Sequence, residues 1–116
     1  MSQPQAVTTL KKRADFLRAA TGEKKVTRNI VVQVFRRPEE EDGGLRVGFT
    51  ASKRTGNAVR RNRIKRRLRA LARNILPQSG ARGIDVVLVG RWRAAESPFA
   101  ELEQDFRYAL KKLEAA

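Results

Sequence analysis

Neither cysteine nor histidine occurs among the 116 residues. That excludes disulfides, thiolate and imidazole metal sites, and every mechanism that uses a Cys or His nucleophile or base. Long apolar runs are missing as well. No stretch approaches the roughly 20 residues that span a bilayer, and the N-terminus has no apolar signal core; a cytoplasmic protein away from membranes is expected. Acidic residues are absent from a whole region, since no Asp or Glu lies between Gly43 and Ile84. Hydrolysis by bound metal ions needs clustered carboxylates. The acids present are Asp15, Glu23, the Glu39 to Asp42 turn, Asp85, Glu96 and those of the last helical segment, and none falls inside that region. Catalysis by protein side chains is therefore hard to build.

The acid-free region holds an excess of the opposite sign. Twelve Lys or Arg lie between Gly43 and Ile84, ten of them between Ala51 and Arg73, whereas the rest of the chain has fourteen bases and twelve acids. The formal charge of +14 is thus a local feature of the middle third. A solubilising helix face normally mixes signs, and a block of one sign repels itself unless an anion neutralises it. The block reads as a polyanion-binding surface. Arginine predominates, which suits bidentate phosphate contacts and stacking on bases. A membrane surface is the poorer fit, because it needs a free apolar helix face and here that face is wanted by the core.

Size and a hydrophobic content of 41% suit one folded domain, 1–116, with residues 1–7 as a loose tail. A short helix is expected from Thr9, with Leu10, Ala14 and Leu17 on one stripe, Phe16 outside it and Gly22 as the stop. Val26 to Phe35 reads as a strand, and Leu45, Val47, Phe49 and Ala51 mark a second strand beyond the acidic turn. The two are expected to pair as a hairpin. Asn57 caps a helix running to about Leu76, with Ile64, Leu68, Leu71, Ala72 and Ile75 as its apolar stripe and Asn62, Arg66, Arg69 and Arg73 opposite. IDVVLVG, Ile84 to Gly90, reads as a central strand. Ser97-Pro98 opens a closing helix with Phe99, Leu102, Phe106, Ala109, Leu110 and Leu113 inward. The class is α+β, with a strand–helix–strand crossover carrying the basic helix.

Several residues keep two readings at this stage. Asn62 amid arginines is either a tolerated surface residue or a donor to a base or 2′-hydroxyl. Phe16 and Phe35 are either sheet packing or platforms for unpaired bases. Trp92, between Arg91 and Arg93, either anchors a loop or stacks on RNA. Phe49, Phe99 and Phe106 fall on core periodicities and read as packing. A ribosomal or ribosome-assembly RNA-binding protein, and a nucleoid-type DNA binder, are the competing classes.

The run RVGFTASKRTGNAVRRNRIKRRLR resembles the signature of the bacterial ribonuclease P protein family. Its elements are Gly56-Asn57-Ala58-Val59, Arg61-Asn62-Arg63, Lys65-Arg66 and Arg69, and the resemblance extends from Leu10 to Leu113, including Asp15-Phe16. It implies a fold like the second domain of ribosomal protein S5, with a mostly antiparallel sheet of three to four strands and a left-handed βαβ crossover, where general experience alone gives the right-handed one. It implies a protein subunit of an RNA enzyme, one per RNA, in which the catalytic RNA and its Mg²⁺ remove the 5′ leader of precursor tRNA and the protein alone is inactive. Residues implied to face the catalytic RNA are Lys53, Arg54, Arg61, Asn62, Arg63, Lys65, Arg66 and Arg69. Those implied for the leader are Phe16, Arg13, Phe35 and Arg91. Further aromatics of some relatives are replaced by Ala20 and by Gln33, which reduces the stacking surface implied.

Overall fold

Ile84–Gly90 is apolar at nearly every position because strands flank both its edges, one of its faces is buried and the other is partly covered. The computed structural model describes residues 6–41 and 43–115. Along the chain come β1 (Val7–Thr9), α1 (Arg13–Ala19), β2 (Glu23–Val26), β3 (Ile30–Arg36), β4 (Leu45–Ala51), α2 (Ala58–Ile75), β5 (Ile84–Gly90) and α3 (Phe99–Lys112). Short 3-10 turns occupy Lys53–Thr55, Leu76–Gln78 and Trp92–Ala95. One sheet takes the order β1-β4-β5-β3-β2.

The α+β class and the central place of β5 agree with the sequence reading; the sheet differs in three respects. First, β3 and β4 are not a hairpin. β5 lies between them, antiparallel to β3 and parallel to β4, with Val32 and Phe49 both opposite Leu88. Second, the described residues form five strands, and their four pairings divide evenly into parallel (β1–β4, β4–β5) and antiparallel (β2–β3, β3–β5). Third, Val26 to Phe35 is two strands: β2 ends at Val26, and Thr27 turns the chain by bonding Ile30 through both its backbone and its hydroxyl. β1 and β2 are short edge strands of mixed polarity, too brief to show an alternation. Val7, assigned to the loose tail, begins β1; residues 1–5 lie outside the described set, as does Asp42 of the acidic turn.

One face of the sheet carries the main core. Ile30, Val32, Val34, Leu45, Val47, Ile84, Val86 and Leu88 pack there against α2 and α3. The stripe expected on α2, Ile64, Leu68, Leu71, Ala72 and Ile75, is the set that is buried. Asn57 caps that helix by accepting from the Arg60 N–H at 2.9 Å. Gly56 before it has φ of 123°, a conformation that side chains other than hydrogen rarely adopt. On α3 the buried residues are Leu102, Phe106, Ala109 and Leu110, as its periodicity predicts.

The opposite face is covered only in part, by α1. Leu10, Ala19 and Val87 are buried there, with Phe16, Phe35 and Val89 packed around them. The stripe expected for this helix is wrong. Leu10 precedes the helix, Ala14 and Leu17 are exposed, and Phe16 and Ala19 turn to the sheet. Phe16 lies across β4 at Gly48, so the residue set apart as an outlier is the one that seats the helix.

Candidate nucleic-acid interface

With the apolar stripe of α2 pinned to the sheet, its other side is forced outward. Asn62, Arg63, Arg66, Arg69 and Arg73 are exposed, Arg61 and Lys65 half-buried, and Lys53 and Arg54 exposed in the turn that leads in. Among the described residues no carboxylate lies within ion-pair range of any of these cations; the ion pairs present use Arg18, Arg36, Arg37, Arg46 and Arg60. The helix also has no acid in its first turn. An array of unneutralised guanidinium groups on one rigid face is complementary to a phosphate backbone. All eight residues singled out from the sequence for the catalytic RNA are on this helix or its lead-in.

Two neighbours in the same basic run point elsewhere. Arg67 donates to the carbonyl oxygens of Ala94 (2.8 Å) and Ser97. Its burial, with the nearby charge of Arg63, pulls its pKa below the usual arginine value. Arg60 donates to Glu96 Oε1 at 3.0 Å and to the Trp92 carbonyl at 2.8 Å. These two tie α2 to the segment after β5. Charge counting could not separate them from the outward arginines.

On the other face, the part of the sheet that α1 leaves open forms a cleft of about 540 Å³ lined by Lys11, Arg13, Phe16, Gln33, Phe49, Thr50, Val87 and Val89. Its floor is sheet backbone with Val87 and Val89, its wall carries Lys11 and Arg13, and the Phe16 ring borders it. That suits a single strand, whose bases stack on rings while its phosphates meet cations. Phe16 and Arg13, expected here, are present. Phe35 and Arg91 are not among the lining residues: the Arg18 guanidinium lies 4.6 Å from the Phe35 ring centre, and Arg91 donates to the Thr27 carbonyl at 2.6 Å. Phe49, read as packing, does pack against the main core: it lies opposite Leu88 on β5 with the Arg69 guanidinium 6.0 Å from its ring centre, and at the rim of the sheet it also adjoins the cleft.

The closed end of that face is organised by Asp85, whose side chain is fully buried. Arg46 holds both its oxygens, at 2.7 and 2.8 Å, Arg37 bonds Oδ1, and Arg18 stands 3.5 Å from Oδ2. Burial pushes this carboxyl up, but hydrogen bonds and charge from Arg46 and Arg37 outweigh it and hold the group below the usual carboxylate range. Arg46 is raised in turn, chiefly by its hydrogen bonds to Asp85. A charged residue inside an apolar strand was the available signal, since buried charges require partners.

Asp15, Glu23, Glu41, Asp85 and Glu96 are each paired with an arginine. Among the described residues no three of His, Cys, Asp and Glu come together as metal ligands. Nor is any helix there long and apolar enough to cross a membrane.

A mixed sheet that displays an arginine-faced helix on one side and an aromatic, cation-walled cleft on the other defines a nucleic-acid-binding α+β domain. Comparison with known proteins narrows the class. The family model described as Ribonuclease P matches residues 5–114, and the chain belongs to that family. The ribonuclease P protein component of Ruegeria pomeroyi is 49% identical over 110 residues, covering 94% of this chain and 88% of the relative. That of Paramagnetospirillum magneticum is 41% identical over 109 residues, covering 91% and 82%. The structure of the Staphylococcus aureus RNase P protein aligns with a TM-score of 0.74 at 30% identity, covering 92% of this chain and 95% of that one. The Thermotoga maritima RNase P protein shares the fold, with a TM-score of 0.69 over 86% of this chain and 91% of that one at 22% identity.

Proposed function

We propose that this protein binds the catalytic RNA of ribonuclease P through α2 and the 5′ leader of precursor tRNA in the cleft beneath α1, and so promotes RNA-catalysed removal of the leader. The observation that carries the proposal is the row of outward cations on α2 and its lead-in with no carboxylate among the described residues to neutralise them. On this reading Lys53, Arg54, Arg61, Asn62, Arg63, Lys65, Arg66 and Arg69 contact the catalytic RNA. Phe16, Arg13 and Lys11 hold the leader, with Phe35 and Arg91 beside them. Family membership supports a role within an endoribonuclease complex.

Bond cleavage is assigned to the RNA, with magnesium held by its phosphates. Asp85, a fully buried carboxylate, is engaged by arginines and not open to an ion. A cytoplasmic location and one protein per RNA complete the proposal. The test is 5′ cleavage of precursor tRNA by bacterial ribonuclease P RNA at low magnesium, with and without the protein. Stimulation is expected, with no cleavage by the protein alone. Lack of stimulation would favour a ribosomal or assembly role for the same basic helix.

A further inference from the structure

The chain has one tryptophan, and it is not in the core. Trp92 is 57% exposed, in the 3-10 turn that follows β5. An indole left in water at this level forgoes the burial that makes a large ring stabilising, and its position is held rather than loose. The Arg60 guanidinium carbon lies 3.6 Å from the ring centre. Arg60 is itself fixed at both ends of its fork, by Glu96 Oε1 at 3.0 Å and by the Trp92 carbonyl at 2.8 Å. One side of the indole is therefore backed by a cation while the ring keeps more than half its surface open.

This platform adjoins the RNA-facing helix. Arg60 belongs to the first turn of α2, next to Arg61 and to Val59, which is 77% exposed. Arg91 and Arg93 flank the tryptophan and are exposed. The groove beside it is lined by Arg60, Arg93, Glu96, Ser97, Pro98 and Glu101, so the local charge is mixed rather than strongly positive. Such a patch offers a phosphate little beyond what α2 already supplies. What it offers is a flat, pre-oriented π surface, and that fits a nucleobase.

We propose that Trp92, held by Arg60, is a stacking site for an unpaired base of the RNA that α2 engages. The site is distinct from the leader cleft, since Trp92 is not among that cleft's lining residues. It rests on the RNA-binding role of α2. The base comes from either the catalytic RNA or the precursor tRNA, and the two are told apart by adding them separately.

Because the tryptophan is unique, its fluorescence reports on this site alone. The full-length protein is titrated with bacterial ribonuclease P RNA and, separately, with leader-bearing precursor tRNA, while binding is followed independently by filter retention. Saturable quenching that tracks binding of one of the two is expected, together with reduced access of acrylamide to the indole. In parallel, Trp92→Ala is expected to weaken affinity for that RNA about tenfold, within the range of a lost base–aromatic stack. Trp92→Phe, which keeps a ring, is expected to stay within about threefold of the parent. Thermal melts check that each variant is folded, and the quenching experiment needs no substitution. RNA binding with unchanged emission, or equal affinities for Trp92→Ala and Trp92→Phe, would overturn the stacking site and leave the function of α2 intact. Absence of binding by either RNA would overturn both.

Discussion

The ring of Phe16 rests directly on Gly48: a methyl group at residue 48 would stand 2.6 Å from Phe16 Cε1 and 3.3 Å from Leu10 Cβ. This close approach seats α1 on the sheet and makes the ring a border of the cleft.

Phe16→Ala removes the ring, and Gly48→Ala forces it away. Both are expected to weaken binding of precursor tRNA carrying a leader of several nucleotides by about five- to tenfold, the effect of losing one stacked base. A substrate with a single leader nucleotide should be nearly unaffected. Affinity measured for the two substrates with the assembled holoenzyme checks this; equal losses for both would argue against strand binding in the cleft.

Arg63→Ala with Arg66→Ala removes two outward cations of α2 and should weaken assembly with the catalytic RNA whatever the leader length. If each contacts a phosphate, the slope of log K against log salt falls in magnitude by about 1.4–1.8. Titrations of the RNA at several potassium concentrations measure it. An unchanged slope would place those phosphates elsewhere.

Arg67→Ala, one residue on from Arg66, is expected to behave oppositely. It loses the bonds to the Ala94 and Ser97 carbonyls, and the fold should weaken by roughly 1–3 kcal/mol in urea unfolding. The salt slope for RNA binding should stay at the parent value.

Gly90 lies beneath α2, where a Cβ would come within 2.2 Å of Ile64 Cγ2. Gly90→Ala should destabilise by about 1–3 kcal/mol through overpacking. Ile64→Ala, which removes the Cγ2 methyl that the new Cβ meets, should cost less in the Gly90→Ala background than in the parent. Chemical denaturation of the single and double variants decides.

Asp85 makes stability sensitive to acid. Its folded pKa is depressed, so its contribution is whole above the unfolded value of about 3.9 and is lost as pH falls through the lower folded value. Asp85→Asn should destabilise by roughly 3–5 kcal/mol at neutral pH, since Arg37 is left buried against a neutral amide. The variant should also lose the corresponding part of the acid limb of a stability–pH curve.

How much of this could be read from the residues depended on the length of each pattern. α2 repeats its apolar spacing over 18 residues, so its bounds, cap and buried stripe were legible. α1 has seven residues, and Leu10, which set the expected stripe, belongs to the extended chain before it. Strand pairing was misjudged because neighbours in sequence need not be neighbours in the sheet; the apolar run of β5 already required a strand on each side. In the site, the outward arginines followed from the helix phase. The inward turn of Arg60 and Arg67 and the cover on Phe35 depend on segments distant in the chain, and no local spacing encodes them.

Sheet edges left bare recruit further strands, and two stretches of edge among the described residues are bordered by cations. One is β2, which bears Lys24 and Lys25; the other is the far half of β4, beyond the point where β1 stops and the chain departs through Lys11, Lys12 and Arg13. Like charge at both borders opposes the pairing of one copy with another and so guards against fibrous aggregation. The electrostatic excess suited to a polyanion therefore also works against edge-to-edge pairing of copies.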